Sequence, residues 1–297
     1  MAALPAADDT EYFRRRAAEA ENRKNKLKSF GPQACGVFVK GKYGLFVVDP
    51  QDGYVAAQLL QTGSYSEYEL VLAQMLISKE ANVLIVGAHI GALAVPISKC
   101  CNQLIAIEAN PYTFNYLSAN LLLNNCKNVK AIPVAASDKT EKINFLLNSE
   151  NSGGSKRMPA TMDFSYTYDS PQTVEIDAGP LDDLIDIKVF DYVLMDIEGS
   201  EYFALKGMQK ILQGTKALAV EFIPQLLKNV ANVSVEDFLG QIMPHFDWLF
   251  IPALTAVIPK ENIVAKLETM YQANEPHEGL VFLKDPLPDW LKKKIPI

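Results

Sequence analysis

The chain has 297 residues, of which 49% are hydrophobic and 21% are charged, a composition that suits one large folded domain or two small ones. These values exclude a disordered, fibrous or very small disulfide-rich protein. The 28 Lys and Arg residues stand against 35 Asp and Glu residues, and the resulting net charge of −7 disfavours a nucleic-acid partner.

Cysteine usage and hydropathy point to an intracellular protein. The four cysteines lack the Cys-x-x-Cys spacing of a zinc site and form no disulfide framework: Cys35, Cys100, Cys101 and Cys126. The N-terminus lacks the basic and apolar regions of a signal peptide, and the most apolar stretch, residues 83–97, is too short and too interrupted to cross a bilayer. We therefore expect reduced thiols, a cytoplasmic location and no membrane partner.

The first 62 residues are predicted to form an extension before the main domain, which we place at residues 63–297. Residues 8–29 are mostly charged or Ala and predict an exposed helical arm. Residues 36–40 and 44–48 are β-rich runs closed by Asp49-Pro50, as in a hairpin. Ser66 and Glu69 have the spacing of a capping box and predict a helix through Leu76.

Strand and helix patterns alternate through the main domain, which predicts an α/β fold with a mostly parallel sheet covered on both faces. Asn110 followed by Pro111 predicts an N-cap and the first residue of a helix. The predicted strands cover residues 83–86, 104–107, 129–134, 192–195, 217–222, 248–251 and 280–283. The predicted helices cover residues 92–100, 111–123 and 260–271, with two more starting at Ser200 and Ser234.

Residues 148–171 interrupt this rhythm with Ser, Gly and aromatic residues and with little periodicity. A loop of this length is typical of a lid or a binding loop, and a surface insertion explains it equally well. Tyr65, Tyr166 and Tyr168 would suit an aromatic-lined opening for a flat or sugar-like acceptor, although core packing accounts for the same residues.

A glycine turn follows the first strand of the main domain directly. Gly87-Ala-His-Ile-Gly91 predicts a tight turn that presents backbone N–H groups to a nucleotide-like ligand at the sheet edge. His89 and Ala92 stand where a dinucleotide fingerprint has glycines, which disfavours NAD and FAD. S-adenosylmethionine fits better, because its amino-acid end can lie against this turn without a pyrophosphate.

The next two strands end in residues that suit the rest of this cofactor. Glu108 can accept hydrogen bonds from both ribose hydroxyls, or it can cap the following helix. Ala135 and Ala136 are small enough to lie against adenine, and Asp138 could accept from its exocyclic amine. Turn formation alone would also explain an aspartate at that position.

The fourth and fifth strands end in acidic residues. Methyl transfer to a hydroxyl needs a group that takes up the proton, and our candidates are Asp196, Glu198 and Glu221, with His277 as a fourth. Glu201 more simply caps a helix. The acids could instead hold magnesium or calcium. A segment of the Asn-Pro-Pro-aromatic type, expected of a nucleic-acid adenine methyltransferase, does not follow the fourth strand.

These motifs resemble the FkbM-type family of S-adenosylmethionine-dependent methyltransferases over about residues 43–222. The segments that carry the resemblance are residues 86–91, 107–111, 120–124, 181–184, 196–201 and 205–207, with residues 48–50 and 63–65 upstream. The family pattern often has Asp, Asn and Lys where this chain has Val86, His89 and Leu194.

The resemblance implies a class I methyltransferase fold with seven mostly parallel strands, one of them antiparallel. It also implies S-adenosylmethionine as cofactor and S-adenosylhomocysteine as product. The predicted cofactor-binding residues are Ser64, Tyr65, Gly87, Ala88, His89, Gly91, Glu108, Ala109, Asn110, Ala135, Ala136, Asp138 and Asp196.

The expected activity is O-methylation of a hydroxyl on a sugar or small natural product, without a bound metal. Metal-assisted or nitrogen-directed methylation of a small molecule is one alternative. A non-catalytic scaffold that binds a partner protein through the arm and hairpin is another. The charged arm could also pack across a homodimer.

Overall fold

The computed structural model describes residues 10–29, 31 and 33–287, so the first two residues of the predicted arm, Asp8 and Asp9, lie outside the described residues. Helix α1 spans Thr10–Lys28 and agrees with the rest of the predicted arm. The other helices are α2 (Val55–Thr62), α3 (Glu67–Leu76), α4 (Ala94–Ser98), α5 (Pro111–Leu123), α6 (Leu181–Leu184), α7 (Glu201–Lys206), α8 (Gln209–Gly214), α9 (Pro224–Leu226), α10 (Val235–Gly240) and α11 (Lys260–Gln272).

Strands β1 (Val37–Lys40) and β2 (Leu45–Val48) form the predicted antiparallel hairpin. The remaining strands are β3 (Asn82–Val86), β4 (Gln103–Glu108), β5 (Val129–Pro133), β6 (Ala135–Ala136), β7 (Glu141–Leu147), β8 (Lys156–Arg157), β9 (Gln172–Gly179), β10 (Tyr192–Met195), β11 (Ala217–Phe222), β12 (Trp248–Ile251), β13 (Ala256–Pro259) and β14 (His277–Leu283).

The central sheet has eight strands in the order β13-β12-β14-β11-β10-β3-β4-β5. Strands β5, β4, β3, β10 and β11 are parallel, and β14 lies antiparallel between β11 and β12. This arrangement confirms the α/β class I fold, but the predicted number of seven strands is wrong. The eighth strand, β13, pairs with β12 at the edge. Its sequence, Ala-Val-Ile-Pro, is apolar throughout, so no alternation of apolar and polar residues marks it as an edge strand.

Helices cover both faces of the central sheet. Val83 and Ile85 of β3 belong to one hydrophobic core, whereas Leu84 and Val86 belong to a second core. Successive strand residues point to opposite faces, so each core fills one side of the sheet. Residues of α2 to α5 complete the first core, and residues of α7, α8, α10 and α11 complete the second.

A second sheet, in the order β6-β9-β7-β8, stands beside the central one and was not apparent from the sequence. Its long strands β7 and β9 are antiparallel, and the irregular residues 148–171 connect them. We call residues 148–171 the insertion. The second sheet therefore fixes both ends of the insertion near the carboxyl edge of the central sheet.

Two predicted helix starts have different outcomes. Asn110 caps α5 as predicted, because its side chain accepts hydrogen bonds from the backbone N–H groups of Tyr112 and Thr113. Helix α3 forms, but the predicted capping box is wrong. Ser66 has a left-handed backbone with φ of +42° and no capping hydrogen bond from its side chain, and its hydroxyl instead bonds the carboxylate of Glu69 at 2.5 Å.

The four cysteines are free thiols. Among the described helices, none is both long enough and apolar enough to cross a membrane.

Asn120 of α5 and Asn124 at the C-cap of this helix hold the hairpin against the main fold. Asn120, with 0% exposure, accepts from Val47 N–H at 2.7 Å and donates to the carbonyls of Val47 and Ile90. Asn124 makes the same pair of bonds with the backbone of Leu45. These amides satisfy alternate backbone groups of β2, as a neighbouring strand would, and so attach the hairpin to α5.

We expect Asn120→Ala to lower the free energy of unfolding by roughly 2–4 kcal/mol, because it leaves partly buried backbone groups of Val47 and the buried carbonyl of Ile90 without a partner. Denaturant unfolding of the variant would measure this loss. Leu122→Ala on the same helix is the control, since Leu122 is 82% exposed and should change stability by less than about 0.5 kcal/mol. Equal stability of the two variants would contradict this role of Asn120.

Candidate functional site

A cavity lies at the carboxyl ends of β3, β4 and β10, where open α/β sheets bind ligands. Nine of the thirteen predicted cofactor-binding residues line it: Tyr65, Gly87, Ala88, His89, Glu108, Ala109, Ala135, Ala136 and Asp196. Its volume is about 110 Å³, below the roughly 300–1,000 Å³ of typical ligand sites. A cofactor-sized ligand therefore extends beyond this cavity or displaces side chains that line it.

The glycine turn after β3 forms the floor of this cavity. Gly87 has φ of +91°, and a Cβ atom there would lie 1.9 Å from the carbonyl oxygen of Asp196, so only glycine fits. The N–H groups of Gly87 and Ala88 both donate to the carbonyl of Ile107 at 2.9 Å. These two N–H groups of the turn are therefore not free for a ligand, because they bind β4 where the chain crosses from β3.

Glu108 is held in one orientation beside the turn. Its Oε2 accepts from His89 N–H at 2.7 Å, and its Oε1 accepts from Asn110 N–H and from the Thr113 hydroxyl at 2.8 and 2.9 Å. A carboxylate offers about four acceptor positions, so roughly one is left for a ligand hydroxyl. The geometry provides fewer hydrogen bonds to a ribose than the two predicted from the sequence.

His89 joins the turn to the insertion. Its backbone is left-handed, with φ of +50°, and its Nε2 lies 2.7 Å from the hydroxyl of Ser152. That hydroxyl donates to the carboxylate of Asp52. Because Ser152 has one hydroxyl proton and gives it to Asp52, the Nε2 of His89 must be the donor to Ser152.

Part of the cavity wall comes from residues that the sequence reasoning missed. Ser152, Gly153 and Ser155 of the insertion line the cavity, as do Ile143 and Phe145 of β7. The apolar alternation of β7 is a strand signal, but the insertion has no period from which its position could be read. A second cavity of about 690 Å³ shares His89 and Ser152 with the first.

Four predicted cofactor-binding residues do not line the first cavity. Asn110 borders the second cavity and donates to Ser155 at 3.3 Å. Ser64 is buried beside Thr62, and Gly91 ends the glycine turn with φ of +83°. Asp138 forms an ion pair with Lys206 at 2.9 Å. Partial burial alone would raise the pKa of Asp138, but the hydrogen bond and charge of Lys206 lower it below its usual value.

The predicted acids gather at the ends of β10 and β11, and one of them reaches the cavity. Asp196 lines the cavity wall. Glu198 has a left-handed backbone and pairs with Lys156 of β8 at 2.9 Å. Lys156 is buried, and its ammonium lies 4.8 Å from the centre of the Tyr166 ring. The insertion thus supplies a buried cation to the acidic cluster, which sequence reasoning did not anticipate.

Glu221 and Glu201 are buried behind this edge of the sheet. Burial raises the pKa of Glu221 well above its usual value, and the neighbouring charges of Asp196 and Glu198 raise it further. Burial also raises the pKa of Glu201 to about 7, although Glu201 accepts the Ile197 N–H at 2.9 Å. Both carboxyl groups therefore keep their protons to higher pH than exposed glutamates do.

His277 lies at the start of β14, opposite Phe222 of β11. Its Nε2 lies 3.2 Å from the carboxylate of Glu275, and it does not line the first cavity. Across the residues that the structure describes, no group of three His, Cys, Asp or Glu side chains is arranged to hold a metal ion.

We expect Glu221→Gln to gain stability relative to the wild type as pH rises. The unfolded glutamate loses its proton near pH 4.5, whereas the folded one retains it, so the wild type loses stability above that pH until the folded group also ionises. Glutamine does not titrate. The difference in unfolding free energy between Glu221→Gln and the wild type should grow between pH 5 and 8. It should grow by about 1.4 kcal/mol for each unit by which folding raises the pKa of Glu221.

Denaturant unfolding across that pH range would measure the difference. Glu80→Gln is the matched control, since Glu80 is exposed. A stability difference for Glu221→Gln that stays constant with pH would contradict the raised pKa.

Among solved structures, this chain is similar to an FkbM methyltransferase from Methylobacillus flagellatus KT, with 18% identity and a TM-score of 0.38. The match covers 69% of this chain and 44% of that one, so the chain spans less than half of that relative. The chain is also similar to TYW2 from M. jannaschii, solved with AdoMet, with 16% identity and a TM-score of 0.34. That match covers 63% of this chain and 62% of the other.

An rRNA methylase from Streptococcus thermophilus matches with 12% identity and a TM-score of 0.42, over 73% of this chain and 93% of that one. Sequence identities and TM-scores as low as these three do not support a conclusion about function. A search of curated proteins finds no match to this chain.

The sequence model that describes the methyltransferase FkbM domain matches residues 86–241, which is just over half of the chain. The matched region begins at the last residue of β3, directly before the glycine turn, and includes Glu108 and the acids at the ends of β10 and β11. The chain therefore belongs to the FkbM methyltransferase family.

Proposed function

We propose that this protein transfers a methyl group from S-adenosylmethionine to a hydroxyl group of a sugar or another small natural product. The observation that carries the proposal is the cavity in which the glycine turn, Glu108 and Asp196 come together at the carboxyl edge of the sheet. Family membership supports methyl transfer as the chemistry.

The residues of the cavity fit the cofactor. Gly87, Ala88 and His89 line the cavity where the amino-acid end would lie. The three protein donors to Glu108 leave about one acceptor position for a ribose hydroxyl. Ala135 and Ala136 provide flat, apolar contact for adenine, together with Phe145. Hydrogen bonding by the ribose and packing of the adenine would then hold the ligand along the sheet edge.

When bound, the cofactor supplies an electrophilic methyl group on a sulfonium. The protein must then hold the acceptor oxygen in line and accept its proton. Asp196 is the acid on the cavity wall and is our candidate for that proton. Lys156 balances the charge of Glu198, and the buried Glu221 interacts with the charge of Asp196.

Calorimetric titration with S-adenosylmethionine and S-adenosylhomocysteine tests the cofactor assignment. We expect micromolar binding by the wild type and at least about tenfold weaker binding by Glu108→Ala, because a hydrogen bond to a charged group contributes roughly 1.5–3 kcal/mol. Glu108→Gln keeps the shape of the side chain and separates this loss from misfolding, and Glu80→Ala is the exposed control. Absence of binding by the wild type would contradict the proposal and favour a non-catalytic scaffold.

Turnover of Asp196→Asn tests the proton acceptor. At saturating S-adenosylmethionine, with an acceptor found by screening hydroxylated compounds, we expect the rate to fall roughly 10²–10⁴-fold, the usual contribution of a general base. Glu80→Gln should retain the wild-type rate. An Asp196→Asn rate within a few-fold of the wild type would show that another group takes the proton.

A further inference from the structure

We propose that helix α1 and the insertion form one cover over the glycine turn, held together by Glu150, and that this cover sets the affinity for the cofactor. The inference rests on the proposed function for the identity of the ligand. It assigns a positioning role to Glu150 and to two arginines that do not line the first cavity.

Glu150 is the centre of the cover. Its side chain has 0% exposure, and its Oε1 lies 2.6 Å from Arg16 Nη2 and 2.7 Å from Arg23 Nη2. Its other oxygen accepts from the Tyr168 hydroxyl at 2.5 Å. A buried carboxylate is costly unless it is paired and hydrogen-bonded, so Glu150 stays buried only while both arginines remain docked.

Both arginines come from one face of α1. Phe13, Arg16 and Arg23 are three and seven positions apart, so they project from the same side of the helix. Phe13 is buried and packs against the rings of Tyr168 and Phe164 in the insertion, with centroids 5.1 and 6.2 Å apart. One helix face thus contacts the insertion through both charge and aromatic packing.

The same arginines also bind the segment before α2. Arg16 donates to the Gly53 carbonyl at 3.1 Å, and Arg23 donates to the Gln51 carbonyl at 3.0 Å. A Cβ atom on Gly53 would lie 2.2 Å from Glu150 Oε1, so this segment passes directly against the carboxylate. Between the two bonded residues lies Asp52.

Asp52 connects the arginine network to the cofactor turn. Its carboxylate accepts from the Ser152 backbone N–H at 3.0 Å and from the Ser152 hydroxyl. Ser152 in turn contacts His89 in the glycine turn, and Ser152 and Gly153 line the cavity. A continuous set of contacts therefore runs from the docked face of α1 to the cavity wall.

Loss of one arginine should loosen the whole cover, because it removes one hydrogen bond to the buried Glu150 carboxylate and one bond to the segment before α2. Ligand binding at the cavity must then offset the free-energy cost of ordering Ser152 and Gly153 again. By linkage, a ligand that needs the closed cover also stabilises α1 against opening, although α1 lies outside the first cavity.

The test compares Arg23→Met with Arg14→Met, which removes the same charge from an exposed position of α1. Hydrogen exchange of the free proteins and calorimetric affinity for S-adenosylhomocysteine are measured for both. For Arg23→Met we expect faster exchange in residues 10–28 and also in residues 149–155, with affinity at least about fivefold weaker. Arg14→Met should match the wild type.

Glu150→Gln is the second variant and should show the same paired effects. In the wild type, S-adenosylhomocysteine should slow exchange in α1. Loosening of α1 alone, with insertion exchange and affinity unchanged, would overturn the inference and leave the proposed function standing. Absence of wild-type binding would overturn the proposed function and this inference with it.

Discussion

The close passage of the turn after β3 against the end of β10 is the constraint on which the candidate site depends. Gly87 lies so near the Asp196 carbonyl that a Cβ atom would overlap it, and the Gly87 and Ala88 N–H groups bind Ile107 of β4. One backbone crossing thereby fixes the ends of three neighbouring strands. The carboxylates of Glu108 and Asp196 consequently line the same cavity.

The rest of the site is built onto that edge by parts outside the parallel sheet. The second sheet brings Lys156 to Glu198, and the insertion brings Ser152 to His89. The buried Lys156 also offsets part of the acidic charge, because it opposes the rise in the pKa of Glu221 that burial of Glu221 and the nearby carboxylates cause. Helix α1, although polar over most of its surface, adds the arginines that neutralise Glu150.

Local patterns were enough to predict the central α/β fold. Buried runs such as β3 and β10 and the Asn110-Pro111 helix start have strong signals within a few residues. The short edge strand β13 was missed because its residues do not alternate between apolar and polar, although it pairs with the nearby β12. Strands β7 and β9 were missed because they pair across the insertion. The predicted capping box at Ser66 is absent because the Ser66 hydroxyl bonds the Glu69 carboxylate and accepts no hydrogen bond from a backbone N–H group.

Residue types also predicted much of the candidate site, since strand ends in a parallel sheet meet at one edge. Gly87, Glu108 and Asp196 line the cavity for that reason. Asp138 does not, because Lys206 holds it elsewhere. Lys156 and Ser152 could not be predicted, since their positions are set by the insertion, whose contacts are long-range and not periodic.

The most direct measurement is a crystal structure of the protein with S-adenosylhomocysteine. We expect the amino-acid end against the Gly87–Gly91 turn, a ribose hydroxyl bonded to Glu108 and adenine beside Ala135 and Ala136. A ligand bound elsewhere, or a cavity that excludes it at saturating concentration, would contradict the assignment of this edge as the methyl-transfer site.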